Sequence, residues 1–128
     1  MDIHTLGPKS RLRSFRYAFQ GVRALFHSEP NAWIHCAASA TVIFGAWFFD
    51  FSAIEWALII VAIGIVFSAE ALNTSIETLC DYSCGERNEM IGRSKDLAAA
   101  GVLIASTSAA AIGFILFIPK IILFIESL

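Results

Sequence analysis

The stretch SAEALNTSIETLCD, Ser68 to Asp81, starts at the end of an apolar run and carries three acids at helical spacing. Read as one helix at about 100° per residue, Glu70, Asn73, Thr74, Glu77 and Asp81 fall within an arc of about 100°. Glu70 and Asp81 are then about 16 Å apart along the axis. One polar stripe runs from inside the apolar zone out to a polar loop. Ionisable groups at that depth are costly, so they face protein or water and mark a functional site. The bland alternative is a helix end already among lipid headgroups, with solvated acids. It suits Asp81 better than Glu70, which directly follows the apolar run.

The surrounding chain has 128 residues, 57% hydrophobic and only 16% charged, which is too apolar for an ordinary soluble domain of that size. A single membrane domain over 1–128 is the expectation. A net charge of −2 makes no global case for nucleic acid as a partner. The polar, basic N-terminus does not read as a cleavable signal peptide. Cys36, Cys80 and Cys84 are an odd number, so a disulfide framework is not expected, and with His4, His27 and His35 far away in sequence neither is a metal site built on the cysteines.

Three apolar runs, at about 33–49, 53–72 and 97–118, the last followed by Pro119 and Lys120, predict three membrane helices. Pro30 suits the first turn of the first. Before them, Phe15, Phe19, Val22 and Phe26 share one helical face, and Arg13, Arg16, Gln20 and Arg23 another. That pattern predicts an amphipathic surface helix over about 9–27, lying on anionic headgroups or docked on the spans. Five of the nine basic residues precede the first run, three lie in 81–96, and the first loop, 50–55, has none. The expected topology is a cytoplasmic N-terminus and second loop, with the C-terminus across the membrane. Trp33, Trp47 and Trp56 fall near span ends, as interfacial aromatics do. His35 reads as a helix-start residue near the interface. Ser106, Thr107 and Ser108 are given no chemistry.

Three carboxylates near Lys95, Arg93 and a basic helix suggest magnesium and phosphate. The phosphate loop GxxxxGK[ST] and the kinase loop GxGxxG do not occur, so a nucleotide site has to be built from helix faces.

The segment EALNTSIETLCD, followed after a short loop by GRSKDLAAAGVLIA, resembles the prokaryotic diacylglycerol kinase family, which includes undecaprenol kinases. The upstream YAFQGVRALFHSEPNAWIH fits in order and distance, so the resemblance covers roughly Phe15 to Ala105. It implies an all-α membrane protein of one surface helix and three spans, working as a homotrimer with shared sites. It also implies transfer of the γ-phosphate of Mg-ATP to a lipid hydroxyl in the bacterial inner membrane. By position, the resemblance makes Glu70 the catalytic base and Asn73 its partner on the catalytic helix. Glu29 and Glu77 match the carboxylates that hold Mg²⁺. Tyr17, Glu86, Asn88, Lys95 and Asp96 match nucleotide contacts. Arg13, Arg23, Glu70 and Ala99 match the lipid side. The loop departs from the family at Asn88, where histidine is common, and at Arg87, where an aromatic is common.

Diacylglycerol, giving phosphatidic acid, is the first expected substrate, and undecaprenol the alternative. EPNAWIH looks more like the undecaprenol-type branch. Two other classes compete. In a small oligomeric channel, Glu70 and Glu77 would line a pore. In a non-catalytic assembly subunit, the acids would only pair with arginines. Neither gives Lys95, Asp96 and the amphipathic helix a specific task. The run Ala98-Ala99-Ala100-Gly101 would let a second helix approach closely.

Overall fold

A computed structural model describes residues 8–83 and 88–128, with side chains from Arg11 onward. The chain is all-helical, in the order α1 (Pro8–Ser28), α2 (Pro30–Phe48), α3 (Ala53–Ser83) and α4 (Glu89–Glu126).

The break between α1 and α2 is made by one residue. Glu29 precedes proline, whose ring excludes the helical region for its neighbour, and it is extended at φ −116°, ψ 107°. Pro30 then opens α2 without costing a hydrogen bond. Only the end of α1 is anchored. Leu25 is buried, and Phe26 meets Trp33 at 5.3 Å and Phe67 at 6.0 Å between centroids. Trp33 Nε1 donates to the Phe26 carbonyl at 2.9 Å. Phe15, Phe19 and Val22 stay exposed, an apolar face left for lipid or another chain.

The α2–α3 turn is a Schellman closure. Phe51 N–H donates to Ala46 C=O at 3.0 Å and Asp50 N–H to Trp47 C=O at 3.3 Å, with Asp50 at φ 52° in the glycine-favouring position. A capping box follows at once: Ser52 N–H donates to Glu55 Oε2 at 2.7 Å, and Glu55 N–H to Ser52 Oγ at 3.3 Å. Lys120 of α4 closes this end, 3.2 Å from Glu55 Oε2 and over the Phe51 ring at 5.0 Å. The small core beneath holds Ala46, Phe51 and Ile59, with Phe117 packed on it. Gly45 is needed here, because a Cβ would meet Phe117 Cε1 at 2.8 Å.

α3 and α4 make the most extensive packing in the chain and are long and apolar enough to cross a membrane. At 31 residues, α3 is about 46 Å long, longer than a hydrocarbon core of about 30 Å. Its surplus carries the acidic stripe beyond the apolar zone, as the sequence predicts. α2, with 19 residues including Asn31 and His35, covers most of its expected run, but among the described residues only α3 and α4 are long and apolar enough to cross a membrane.

Two boundaries differ from expectation. The predicted loop 81–96 is mostly helix: α3 runs to Ser83 and α4 begins at Glu89. Its start is set by Asn88, whose Oδ1 accepts from Met90 N–H at 2.9 Å as an N-cap. The predicted end of the third span, at Ile118, is not a helix end either. α4 continues through Pro119 to Glu126. A proline costs one backbone bond inside a helix, which packing along neighbouring helices offsets. Lys120, a span-end signal in the sequence, is instead held by Glu55.

Candidate active site

Among the described residues, the buried polar side chains are Glu70, 3% exposed, and Asn73, 9% exposed. They lie one turn apart on α3 and head the stripe read from the sequence. Burial of a carboxyl requires a partner, and α2 supplies it. His35 Nε2 lies 2.9 Å from Glu70 Oε1. The expectation of His35 as a helix-start residue does not foresee this contact. The available signal was a lone ionisable residue in an apolar helix. Its partner, 35 positions away, depends on how α2 and α3 align.

Asn73 points the other way along the stripe. Its Nδ2 donates to Glu77 Oε1 at 3.2 Å, while its Oδ1 is buried without a protein partner. Thr74 Oγ1 is likewise buried and unpaired. Two buried polar oxygens on the stripe, one an amide acceptor and one a hydroxyl, therefore have no protein partner among the described residues.

Glu29, half-buried at the α1–α2 break, belongs electrostatically to the same group. Desolvation first, then the charges of Glu77 and Glu70, hold its carboxyl above the usual carboxylate value. A carboxylate crowded by two others is chemistry that a hard divalent cation would relieve, although among the described residues no group of three or more His, Cys, Asp or Glu side chains is placed to hold a metal ion.

The other expected residues are spread around this centre. Lys95 and Asp96 lie in the second turn of α4 rather than opening it. Lys95 Nζ donates to Asp81 Oδ1 at 2.8 Å, so the last acid of the stripe meets the cation expected at the nucleotide. Asp96 is exposed nearby. Asn88, expected in a covering loop, caps α4, and Glu86 lies outside the described residues. Tyr17, Arg13 and Arg23 are exposed on α1, and Ala99 is exposed on α4. Gly101 has open space where a Cβ would stand, as a close-approach surface needs.

A groove of about 600 Å³ runs along α2, α3 and α4 from the Glu70 side. His35 and Val66 line its near end, Val42 and Ile59 the middle, and Phe117 and Ile121 the far end. The wall is almost wholly apolar, and it meets the buried acid through His35, the hydrogen-bond partner of Glu70.

Comparison with known proteins agrees. The pattern described as prokaryotic diacylglycerol kinase matches residues 16–117. An undecaprenol kinase of Bacillus subtilis is 33% identical over 85% of this chain and 89% of that protein. A diacylglycerol kinase of Synechocystis is 34% identical over 87% of this chain and 64% of that protein. A diacylglycerol kinase of Escherichia coli is 32% identical over 82% of this chain and 86% of that protein.

Proposed function

Because the chain belongs to the prokaryotic diacylglycerol kinase family, we propose that it transfers the γ-phosphate of Mg-ATP to the hydroxyl of a membrane lipid. The observation that carries this reading is a buried carboxyl, Glu70, at the head of an acidic stripe and beside an apolar groove.

Glu70 accepts the hydroxyl proton. The O–H electron pair forms the new bond to the γ-phosphorus, and the bond to the ADP oxygen breaks. Glu29 and Glu77 would hold the magnesium, with Asn73 orienting Glu77. Bound magnesium would offset the charge of the phosphates, and positioning with charge neutralisation is most of what phosphoryl transfer needs. Lys95 and Asp96 reach the nucleotide, with Tyr17, Glu86 and Asn88 around it. Arg13 and Arg23 meet headgroups, and Ala99 borders the lipid.

Diacylglycerol is the first substrate in this reading. Undecaprenol is the second, favoured by EPNAWIH and by the similarity that spans 89% of an undecaprenol kinase. The helices are proposed to sit in a bacterial inner membrane as three spans, α2, α3 and α4, with the N-terminus cytoplasmic and the C-terminus across. The basic residues divide that way, and the exposed apolar face of α1 suits the interface. A homotrimer would cover polar surface that lipid cannot satisfy.

The test offers the purified protein radiolabelled ATP with diacylglycerol and undecaprenol side by side. Label entering either lipid supports the kinase and identifies the substrate. No transfer to either, in protein that is folded and assembled, would remove the reading.

A further inference from the structure

We propose that His35 is the positioning residue of the Glu70 base, fixing its carboxylate so that one oxygen stays free for the lipid hydroxyl. This rests on the reading of Glu70 as the proton acceptor.

The geometry is specific at both ends of the contact. His35 Nε2 and Glu70 Oε1 are 2.9 Å apart, and Glu70 is almost wholly buried. An ionised carboxylate only accepts hydrogen bonds. In the neutral imidazole whose Nε2 carries the proton, the contact is a donation from His35 to Oε1. Oε2 then remains to take the hydroxyl proton. Without that donor, the buried carboxylate loses the partner it has among the described residues and the torsion that aims it.

The imidazole itself is held. Its ring meets Phe67 edge-on, 6.4 Å between centroids at 73°. Phe67 lies against Phe26, and Phe26 against Trp33. This aromatic series runs from α1 through α3 back to α2, so the contact that aims Glu70 is braced by three helices. His35 also lines the near end of the apolar groove, beside the path of the lipid's polar end. A side chain retained only for packing would need no polar atom at hydrogen-bonding distance from the buried acid.

The experiment compares His35→Ala, His35→Gln, Glu70→Gln and the double variant His35→Ala/Glu70→Gln, each purified and assembled. Loss of one hydrogen bond to a charged group predicts a fall in kcat of roughly 10- to 100-fold for His35→Ala, with KM for Mg-ATP nearly unchanged. Gln keeps an N–H donor and should recover most of that loss. If His35 acts through Glu70, His35→Ala should slow the Glu70→Gln enzyme no further, since residues that work as a unit are not additive. A wild-type kcat in His35→Ala, or the same fold loss in both backgrounds, would overturn the proposal. Near wild-type turnover in Glu70→Gln would instead overturn the base assignment beneath it. Should His35→Ala fail to assemble, ¹⁵N-histidine NMR of the wild-type and Glu70→Gln proteins decides. The Nε2 signal of His35 should be that of a protonated donor and should move in Glu70→Gln. An unprotonated Nε2, or one indifferent to Glu70, would contradict the proposal.

Discussion

Lys95 Nζ on α4 donates to Asp81 Oδ1 on α3 at 2.8 Å, tying the second turn of one helix to the last turns of the other. Both side chains are well exposed, 37% and 69%, so as an ion pair the contact adds only about 0–1 kcal/mol to stability. Its weight lies in competition. A lysine that meets phosphate has to leave Asp81 first. Asp81→Asn should therefore leave the melting temperature nearly unchanged and tighten Mg-ATP binding a few-fold. Lys95→Ala should weaken it. Binding titrations on the assembled variants check both, and weaker binding in Asp81→Asn would count against the exchange.

On the proposed reading, Glu29 sets the acid side of magnesium binding. Desolvation and the charges of Glu77 and Glu70 hold its carboxyl above the usual value, so it takes up a proton earlier as pH falls. Holding Mg²⁺ requires the ionised form. Apparent magnesium affinity should thus begin to drop at a higher pH than an ordinary carboxylate would give, and binding should release protons. Glu29→Gln should bind magnesium more weakly and with a flatter pH dependence. Magnesium titrations across pH make the comparison, and an unaltered profile in Glu29→Gln would remove Glu29 from the metal site.

Gly45 tests the far end of the fold separately from the chemistry. An added Cβ would press on Phe117, which packs on the Ala46, Phe51 and Ile59 core. Gly45→Ala should destabilise the protein by about 1–3 kcal/mol, the usual cost of overpacking. The fraction that remains folded should keep its KM for Mg-ATP. Thermal unfolding in detergent measures the first effect, and equal stability would mean that Phe117 moves aside freely.

These tests divide along what the sequence made legible. Strong local signals placed the helices well: Pro30 after Glu29, and apolar runs of membrane length. The 3–4 spacing of Glu70, Asn73 and Glu77 showed their common face, because helix geometry alone determines it. Contacts between helices were not legible. His35 with Glu70, Lys95 with Asp81 and Lys120 with Glu55 all depend on how separate helices align. Local rules also misplaced two boundaries. Pro119 and Lys120 read as a span end until Glu55 and the Phe51 ring are seen to hold the lysine inside α4. Asn88 read as a loop residue, although its side chain caps a helix.

Asn73 links the two halves of the site. Its Nδ2 donates to Glu77, and its Oδ1 is buried and unpaired. Asn73→Leu should lower turnover by roughly 10-fold or more, since Glu77 loses a partner of about the strength usual for charged hydrogen bonds. Asn73→Asp replaces that donor with a second charge against Glu77, so it should also lower turnover, with a magnesium dependence that Asn73→Leu does not share. Rates across a magnesium series separate these effects, and wild-type behaviour in Asn73→Leu would show that Glu77 needs no orientation.

The most direct measurement is turnover and nucleotide binding in the same purified, assembled Glu70→Gln protein. Gln keeps the shape and can still pair with His35, but it cannot take the lipid's proton. Turnover should fall by roughly 10²- to 10⁴-fold, the usual size of a general-base contribution, with Mg-ATP affinity little changed. Near wild-type phosphorylation would contradict the base assignment. Lost nucleotide binding would contradict it too, and would move Glu70 to the metal.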